Sequence, residues 1–208
     1  VPPQPKEHRR RGLTDDERRK LFSETDPRYR DAWIFMAATG LRLGEFTSLH
    51  LDNFETAVVD RQPILQVRFV GKGGKERVVE LAGLAWLVEP MLETAKVRPN
   101  KPGRISPVCY SRLGRVWTEE RTRLELPHEL VPHMLRHDFA TQALEHGTDL
   151  KTLSSLLGHT SIRTTADIYV HQSRPLRARA ISKRAEQLRS YRFRTDLDRK
   201  TPEKADTG

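Results

Sequence analysis

The chain has 208 residues, 36% of them hydrophobic, which is enough for one sizeable core and leaves little for a second. Its single cysteine, Cys109, excludes an internal disulfide and a zinc cluster built from cysteines, and its most apolar stretch, residues 32–39, is too short to span a bilayer. The formal net charge of +9 favours nucleic acid as a partner, and we expect an intracellular protein.

The positive charge is concentrated at the two ends of the chain. Residues 174–200 contain ten basic and three acidic side chains, and residues 6–12 contain four basic and one acidic. Residues 13–173 contain 22 of each sign and are neutral overall. We therefore expect the two ends to act as basic arms around a polyanion, the alternative being that they only keep the chain soluble.

The first elements in chain order are a linker and three helices. Residues 1–12 combine three prolines with a basic run and are predicted to be an interdomain linker, which implies a further domain before them. Thr14 and Glu17 form a capping box, which predicts the start of a helix. Helices are expected over about 14–23, 27–40 and 43–49.

The apolar pattern then changes to period two. Leu65, Val67 and Phe69 alternate with polar residues, a glycine-rich turn follows, and residues 77–81 run back as a second strand, which predicts a β-hairpin. Residues 99–107 are predicted to be a loop and residues 192–208 a basic, disordered tail. The remaining helices are expected at about 84–95, from 118, at 133–146, at 150–157, from 162, and at 175–191.

Six side chains in four separate segments are suited to binding and cleaving a phosphodiester: Arg42, Lys72, His133, Arg136, His159 and Tyr169. Arg42 stands at a predicted helix start, where a guanidinium and the positive end of the helix both favour a phosphate oxygen. Lys72 lies between glycines, which let the backbone approach a ligand closely. His133 and Arg136 are three residues apart on one helix and therefore share a face.

Each of these residues also has an ordinary interpretation. An isolated arginine is usually a surface salt-bridge partner, an exposed lysine a solubilising charge, and a lone tyrosine a core or interface residue. His133 and His137 have the spacing of two zinc ligands in a metalloprotease, but Met134 stands where that motif needs a glutamate to activate water. We expect His137 to be a buried, hydrogen-bonded histidine instead.

Taken together, the segments resemble, in the same order, the motifs of the tyrosine recombinases, including the Xer and phage integrase groups. ATGLRLGE resembles the first arginine box of that family, and VGKGGKERVVEL resembles its lysine-bearing hairpin. HMLRHDFAT resembles the His-x-x-Arg box, and LLGHTSIRTTADIYVH resembles the final histidine and tyrosine stretch. The resemblance covers residues 38–171.

This resemblance implies the fold and the roles of the site residues. The fold would be a mainly α domain with a small antiparallel β-hairpin or sheet (α+β), the DNA breaking–rejoining fold, over residues 13–191. Three side chains would bind the scissile phosphate: Arg42, Arg136 and His159. Lys72 would be the general acid for the leaving 5′ oxygen, and His133 would help to deprotonate the nucleophile. Tyr169 would form a 3′-phosphotyrosyl link, and Glu45 would orient its neighbours.

The resemblance also implies site-specific DNA recombination or integration without metal, ATP or another cofactor. The partners would be double-stranded DNA and further copies of the chain, in a tetramer formed on DNA through the C-terminal helix. The apolar stripe of that helix would pack on a neighbouring copy or fold back on its own domain: Ala178, Ile181, Ala185 and Leu188. No membrane contact is expected, and the location would be the cytoplasm, associated with the nucleoid.

Three further expectations accompany this assignment. The N-terminal core-binding domain typical of the family is expected to be absent from this chain, so DNA binding and turnover by the chain alone would be weak. A type IB topoisomerase or a telomere resolvase is an alternative with the same covalent chemistry. A DNA-binding regulator without catalytic activity is another alternative, although such a protein has no need of Tyr169.

Overall fold

The computed structural model describes residues 12–71, 74–99, 101–158, 181–182 and 184–186. The chain divides into two compact units, residues 1–168 and 169–208. In the second unit the described residues are helical and exposed, and they include Ile181 and Ala185 of the predicted stripe. Residues 1–11, the helix predicted from residue 162, the rest of the helix predicted at 175–191 and the tail lie outside the described residues.

The first unit is mainly helical with one small sheet, as predicted. Its described helices are α1 (Asp15–Arg19), α2 (Pro27–Thr39), α3 (Leu43–Ser48), α4 (Ala85–Lys96), α5 (Tyr110–Arg123), α6 (His133–Glu145) and α7 (Leu150–Leu157). Its described strands are β1 (Phe54–Val59), β2 (Gln62–Val70) and β3 (Glu76–Glu80). A π-helical turn (Lys20–Glu24) follows α1, and a 3₁₀ turn (Leu51–Asn53) precedes β1. Among the described residues, no helix has the length and apolar character needed to cross a membrane.

Helix α2 lies at the centre of the core and packs against α3, α4 and α6. Its side chains Trp33, Phe35 and Met36 are fully buried. The Trp33 ring meets Trp117 of α5 edge to face at 5.0 Å, and the Trp117 indole N–H donates to the Leu130 carbonyl at 2.8 Å. Because α2 is enclosed by these helices, the residues at its C-terminal end are held in a defined position.

The three strands form an antiparallel sheet in the order β1-β2-β3. The predicted hairpin is β2 and β3, in which Val67 is opposite Val79 and Phe69 is opposite Arg77. Val67, Phe69 and Val79 are buried, as the period-two pattern indicated. Strand β1 was not predicted, because it is an edge strand whose side chains are mostly exposed and show no regular alternation.

Two helix predictions were wrong at their ends. Helix α5 begins at Tyr110, not at residue 118, because Leu113 and Val116 pack into the core and carry the helix through Gly114 despite the poor helix propensity of glycine. The first helix keeps its predicted capping box but changes to a π-helical turn after Arg19. The other predicted helices in the described range agree with the structure to within one or two residues.

Candidate active site

Arg42 is held at the start of α3 by the glutamate one turn further along that helix. The Arg42 backbone N–H donates to Oε2 of Glu45 at 2.8 Å, and its guanidinium donates to Oε1 at 2.7 Å. The Arg42 side chain is 31% exposed, whereas that of Glu45 is 7% exposed. The guanidinium is therefore fixed on one side and open to a ligand on the other.

Glu45 is a buried carboxylate between two arginines, Arg42 and Arg77 of β3. Burial by itself would raise the pKa of Glu45. The hydrogen bonds from Arg42 and the charge of Arg77 outweigh that effect and hold the pKa below its ordinary value. Glu45 is therefore ionised at neutral pH and accepts hydrogen bonds from both guanidiniums, while its orienting role in catalysis stays a prediction.

Arg136 lies on α6 and is only 2% exposed. Its guanidinium donates to the Gly40 carbonyl at 2.7 Å and to the Leu157 carbonyl. It thus connects the C-terminal ends of α2 and α7, and among the described residues it forms no direct ion pair. Burial, followed by the charges of Arg42 and Arg77, lowers the pKa of Arg136 to about 9.

His133 is the first residue of α6 and is exposed at the wall of a pocket of about 550 Å³. Arg42 and Glu45 line the same pocket. The structure therefore brings His133 together with a residue, Arg42, that lies 91 positions earlier in the sequence. Three exposed and largely apolar side chains also line the pocket: Val70, Tyr110 and Val131. A ligand here would therefore meet both charged and apolar groups.

His137 was expected to be buried, but it is half-buried and packs against His133. The two imidazole rings meet edge to face with their centroids 4.8 Å apart. Within the described part of the chain, no group of three histidine, cysteine, aspartate or glutamate side chains is placed to hold a metal ion.

Arg42 and Arg77 pair with the carboxylate of Glu45, and Arg136 is near enough to interact electrostatically with all three. We call these four residues the arginine cluster. Three guanidiniums against one carboxylate leave an excess of two positive charges, and two of the three guanidiniums are buried. Burial is the main cause that lowers the pKa of Arg77 and Arg136, and the neighbouring guanidiniums add to it. An anion bound beside the cluster would offset the excess positive charge. The cluster therefore has the electrostatics of an anion site.

Arg77 is the site residue that the sequence reasoning missed. The sequence predicts Arg77 only as the first residue of the returning strand of the hairpin. Its position does carry a signal, because β3 alternates and places Arg77 on the same buried face as Val79. A charged residue at an inward-facing strand position indicates a buried polar partner.

Three predicted site residues, Lys72, His159 and Tyr169, lie outside the described residues. The structure places the residues that precede two of them, Gly71 at the end of β2 and Gly158 at the end of α7. Gly158 has a left-handed backbone (φ 62°) and ends α7 as predicted. The roles of these three residues stay predictions.

The fold and the site together define a mainly helical domain with a small sheet that holds buried arginines beside an open pocket. Comparison with known proteins assigns residues 11–175 to the phage integrase family. The chain therefore belongs to this family, and the resemblance seen in its motifs is confirmed.

The relatives include a tyrosine recombinase XerC from Rickettsia canadensis (strain McKiel), which is 36% identical over 145 residues. That match covers 64% of this chain and 43% of the relative, so the chain spans less than half the length of the curated relatives it matches. The catalytic domain of bacteriophage HP1 integrase has 26% identity and a TM-score of 0.56, over 77% of this chain and 87% of that chain.

A further solved structure with the same fold is that of the XerH site-specific recombinase, bound to its difH substrate in a pre-cleavage complex. Its TM-score is 0.58 at 24% identity, over 77% of this chain and 50% of that chain. At this identity the likeness concerns the fold alone.

Proposed function

We propose that this chain is the DNA-cleaving domain of a site-specific tyrosine recombinase or integrase. The observation that carries the proposal is the arginine cluster, with its excess of two positive charges beside a pocket that His133 also lines. Phosphoryl transfer spreads negative charge over the equatorial oxygens of phosphorus, and fixed guanidiniums stabilise that charge without a metal ion. Membership of the phage integrase family supports the same assignment.

Arg42 and Arg136 are suited to different parts of this task. Arg42 is partly exposed and can contact a phosphate directly. Arg136 is held by two backbone carbonyls, which orient its charge without neutralising it, and it interacts electrostatically with Arg42 and Glu45, which line the pocket. A phosphate oxygen at the pocket would therefore restore the balance of charge in the cluster.

The proposed reaction is an in-line transesterification. The Tyr169 phenolic oxygen forms a bond to phosphorus and gives up its proton with the help of His133, while the bond from phosphorus to the 5′ oxygen breaks. Lys72 donates a proton to that 5′ oxygen, and His159 joins the arginines in holding the phosphate. One phosphodiester replaces another of similar energy, so a 5′ hydroxyl can reverse the step and reseal the DNA without ATP.

The proposal includes the partners expected from the family. Double-stranded DNA is the substrate we infer, in line with the XerH relative that was solved on its difH substrate. We also infer assembly into a tetramer through the C-terminal helix, a location in the cytoplasm with the nucleoid, and a catalytic domain over residues 13–191. The exposure of Ile181, at 72%, is compatible with a helix that packs on another copy.

The test is the capture of a covalent protein–DNA adduct. Nicked duplexes with a random-sequence core would be incubated with the chain, because a nick next to the cleavage point releases a short strand and prevents resealing. Adducts would be isolated under denaturing conditions, and their DNA sequenced. We expect enriched sequences and an adduct that resists detergent.

Two tyrosine variants make this test specific. Tyr169→Phe should abolish the adduct, since a phenyl ring has no oxygen to attack phosphorus. Tyr110→Phe is the matched variant, because Tyr110 is the tyrosine that the structure places at the pocket, and its adduct should persist. An adduct that survives Tyr169→Phe would refute the assigned nucleophile, and no adduct from the parent chain on any duplex would refute the proposed function.

A further inference from the structure

Arg77 occupies a position where a charged side chain is costly. It lies on the buried face of β3, is 8% exposed, and is opposite Phe69 of β2. Burial lowers the pKa of its guanidinium, and the neighbouring Glu45 only partly offsets this. Because replacing a whole buried ion pair by apolar residues often leaves stability unchanged or raises it, stability alone does not explain the Arg77–Glu45 pair.

The Arg77 guanidinium joins three elements of the first unit. It donates to Oε2 of Glu45 on α3 at 3.3 Å and to the Leu156 carbonyl near the end of α7. Its central carbon lies 4.9 Å from the centroid of the Phe69 ring, within the range of a cation–π contact. Arg77 is too deeply buried to act as a direct DNA ligand, so any contribution to catalysis must pass through these neighbours.

Two glycines pack against the same side chain. A Cβ on Gly158 would overlap with Cδ of Arg77, and a Cβ on Gly71 would lie 3.3 Å from that atom and 3.6 Å from Oε1 of Glu45. The Gly158 backbone therefore approaches Arg77 more closely than a residue with a Cβ would allow, and the Gly71 backbone leaves only a tight contact for one. In the sequence these two glycines immediately precede Lys72 and His159.

We propose that Arg77 is a positioning residue that sets the turn before Lys72 and the helix end before His159 against the Arg42–Glu45 pair. This inference rests on the proposed function, in which Lys72 and His159 act on the same phosphate as Arg42. Arg77 would determine how far these three segments lie from one another, and it would not touch DNA itself.

The first test compares Arg77→Met with Arg68→Met. Methionine keeps the volume of the arginine stem and removes the bonds to Glu45 and Leu156. Arg68 is the matched control, because it lies on the same sheet and pairs with carboxylates at 2.8 Å and 3.4 Å, but its side chain is 45% exposed. The single-turnover rate of adduct formation would be measured at saturating DNA, together with the dissociation constant and the melting temperature.

We expect Arg77→Met to slow adduct formation roughly 100-fold, the effect of misplacing reacting groups by about 1 Å. Its dissociation constant for DNA should change much less than the rate, by at most about tenfold, since Arg77 adds to the charge of the cluster but is too buried to contact DNA directly. Arg68→Met should cleave at the parent rate. Arg77→Lys covers the case in which the methionine variant does not fold, and it should be intermediate because one ammonium cannot bond Glu45 and Leu156 together.

A substrate with sulfur in place of the leaving 5′ oxygen separates a positioning role from a loss of stability. A general loss of stability would slow the cleavage of both substrates equally. A thiol is a much stronger acid than a sugar hydroxyl, so its departure does not need a proton from Lys72. If Arg77→Met displaces the turn before Lys72, this variant should cleave the sulfur substrate at least about tenfold faster than it cleaves the oxygen substrate. The parent and Arg68→Met should gain much less.

The outcomes separate this inference from the proposed function. A parent chain that forms no Tyr169-dependent adduct refutes the proposed function. An active parent with Arg77→Met at the parent rate, or with no greater sulfur effect in that variant than in the parent, refutes the role of Arg77 alone. Hydrogen exchange gives a reading independent of activity: amides of residues 66–71 and 153–158 should exchange at least about tenfold faster in Arg77→Met than in Arg68→Met, and equal rates would contradict the inference.

Discussion

Pyrophosphate should raise the melting temperature of this chain, because the arginine cluster holds more positive charge than its one carboxylate neutralises. The effect can be sized from Arg136, whose pKa is lowered to about 9. Each unit by which the pKa falls below its ordinary value corresponds to about 1.4 kcal/mol, so keeping Arg136 charged costs the ligand-free protein roughly 5 kcal/mol. An anion that attracts the Arg136 guanidinium offsets part of this cost.

The concentration of the anion relative to its dissociation constant determines how much it stabilises the folded state. An anion at 100 times its dissociation constant stabilises the folded state by about 2.7 kcal/mol. For a chain of this size that corresponds to a rise in melting temperature of roughly 5–10 °C. The assay is thermal unfolding over a pyrophosphate titration, with sodium chloride added to hold the ionic strength constant.

Three variants test whether the increase in melting temperature depends on the arginine cluster. Arg136→Gln and Arg42→Gln should lose most of it, whereas Arg112→Gln should keep it, because Arg112 pairs with Glu119 on the exposed surface of α5. Equal rises in the parent and in all three variants would show that the anion acts by general salt effects and would refute the reasoning.

The pH dependence has a definite sign. The unfolded chain binds the Arg136 proton more tightly than the ligand-free folded chain, so the cost of keeping Arg136 charged is full below about pH 9 and declines progressively as the pH rises above it. The pyrophosphate effect should therefore be largest below pH 9 and decline above it, in the parent but not in Arg136→Gln. A parent response that stays constant across this range would contradict the lowered pKa.

Two further predictions concern stability. Gly158→Ala should destabilise the fold by about 2–4 kcal/mol in urea unfolding, since it adds a steric overlap to a left-handed backbone, whereas Gly83→Ala, at φ 74° with open space around it, should cost about 1 kcal/mol; similar losses would contradict the overlap. Asp138→Asn should cost about 1–3 kcal/mol, because Asp138 is buried and accepts hydrogen bonds from Arg18 at 2.9–3.2 Å. Asp15→Asn, which removes the other, exposed partner of Arg18, should cost less than about 1 kcal/mol, and the opposite order would refute the difference in burial.

Sequence alone determined the features that depend on neighbours along the chain. The capping box at Thr14 and Glu17, the alternation of β2 and the glycine that ends α7 are signals spread over a few residues, and each was found in the structure. The order of the motifs was sufficient to identify the family. It also indicated Arg42, His133 and Arg136 as candidate site residues.

Tertiary structure decided the features whose causes lie far apart in the chain. Strand β1 forms because the edge of β2 provides its hydrogen-bond partners. Helix α5 starts earlier than predicted because the side chains of its first turns are buried in the core. The contacts of Arg77 reach 32 and 79 positions along the chain, and Arg136 reaches 96 positions to Gly40. A sequence pattern records which residues can be buried, but only the folded chain determines which distant carbonyls and carboxylates a buried guanidinium meets.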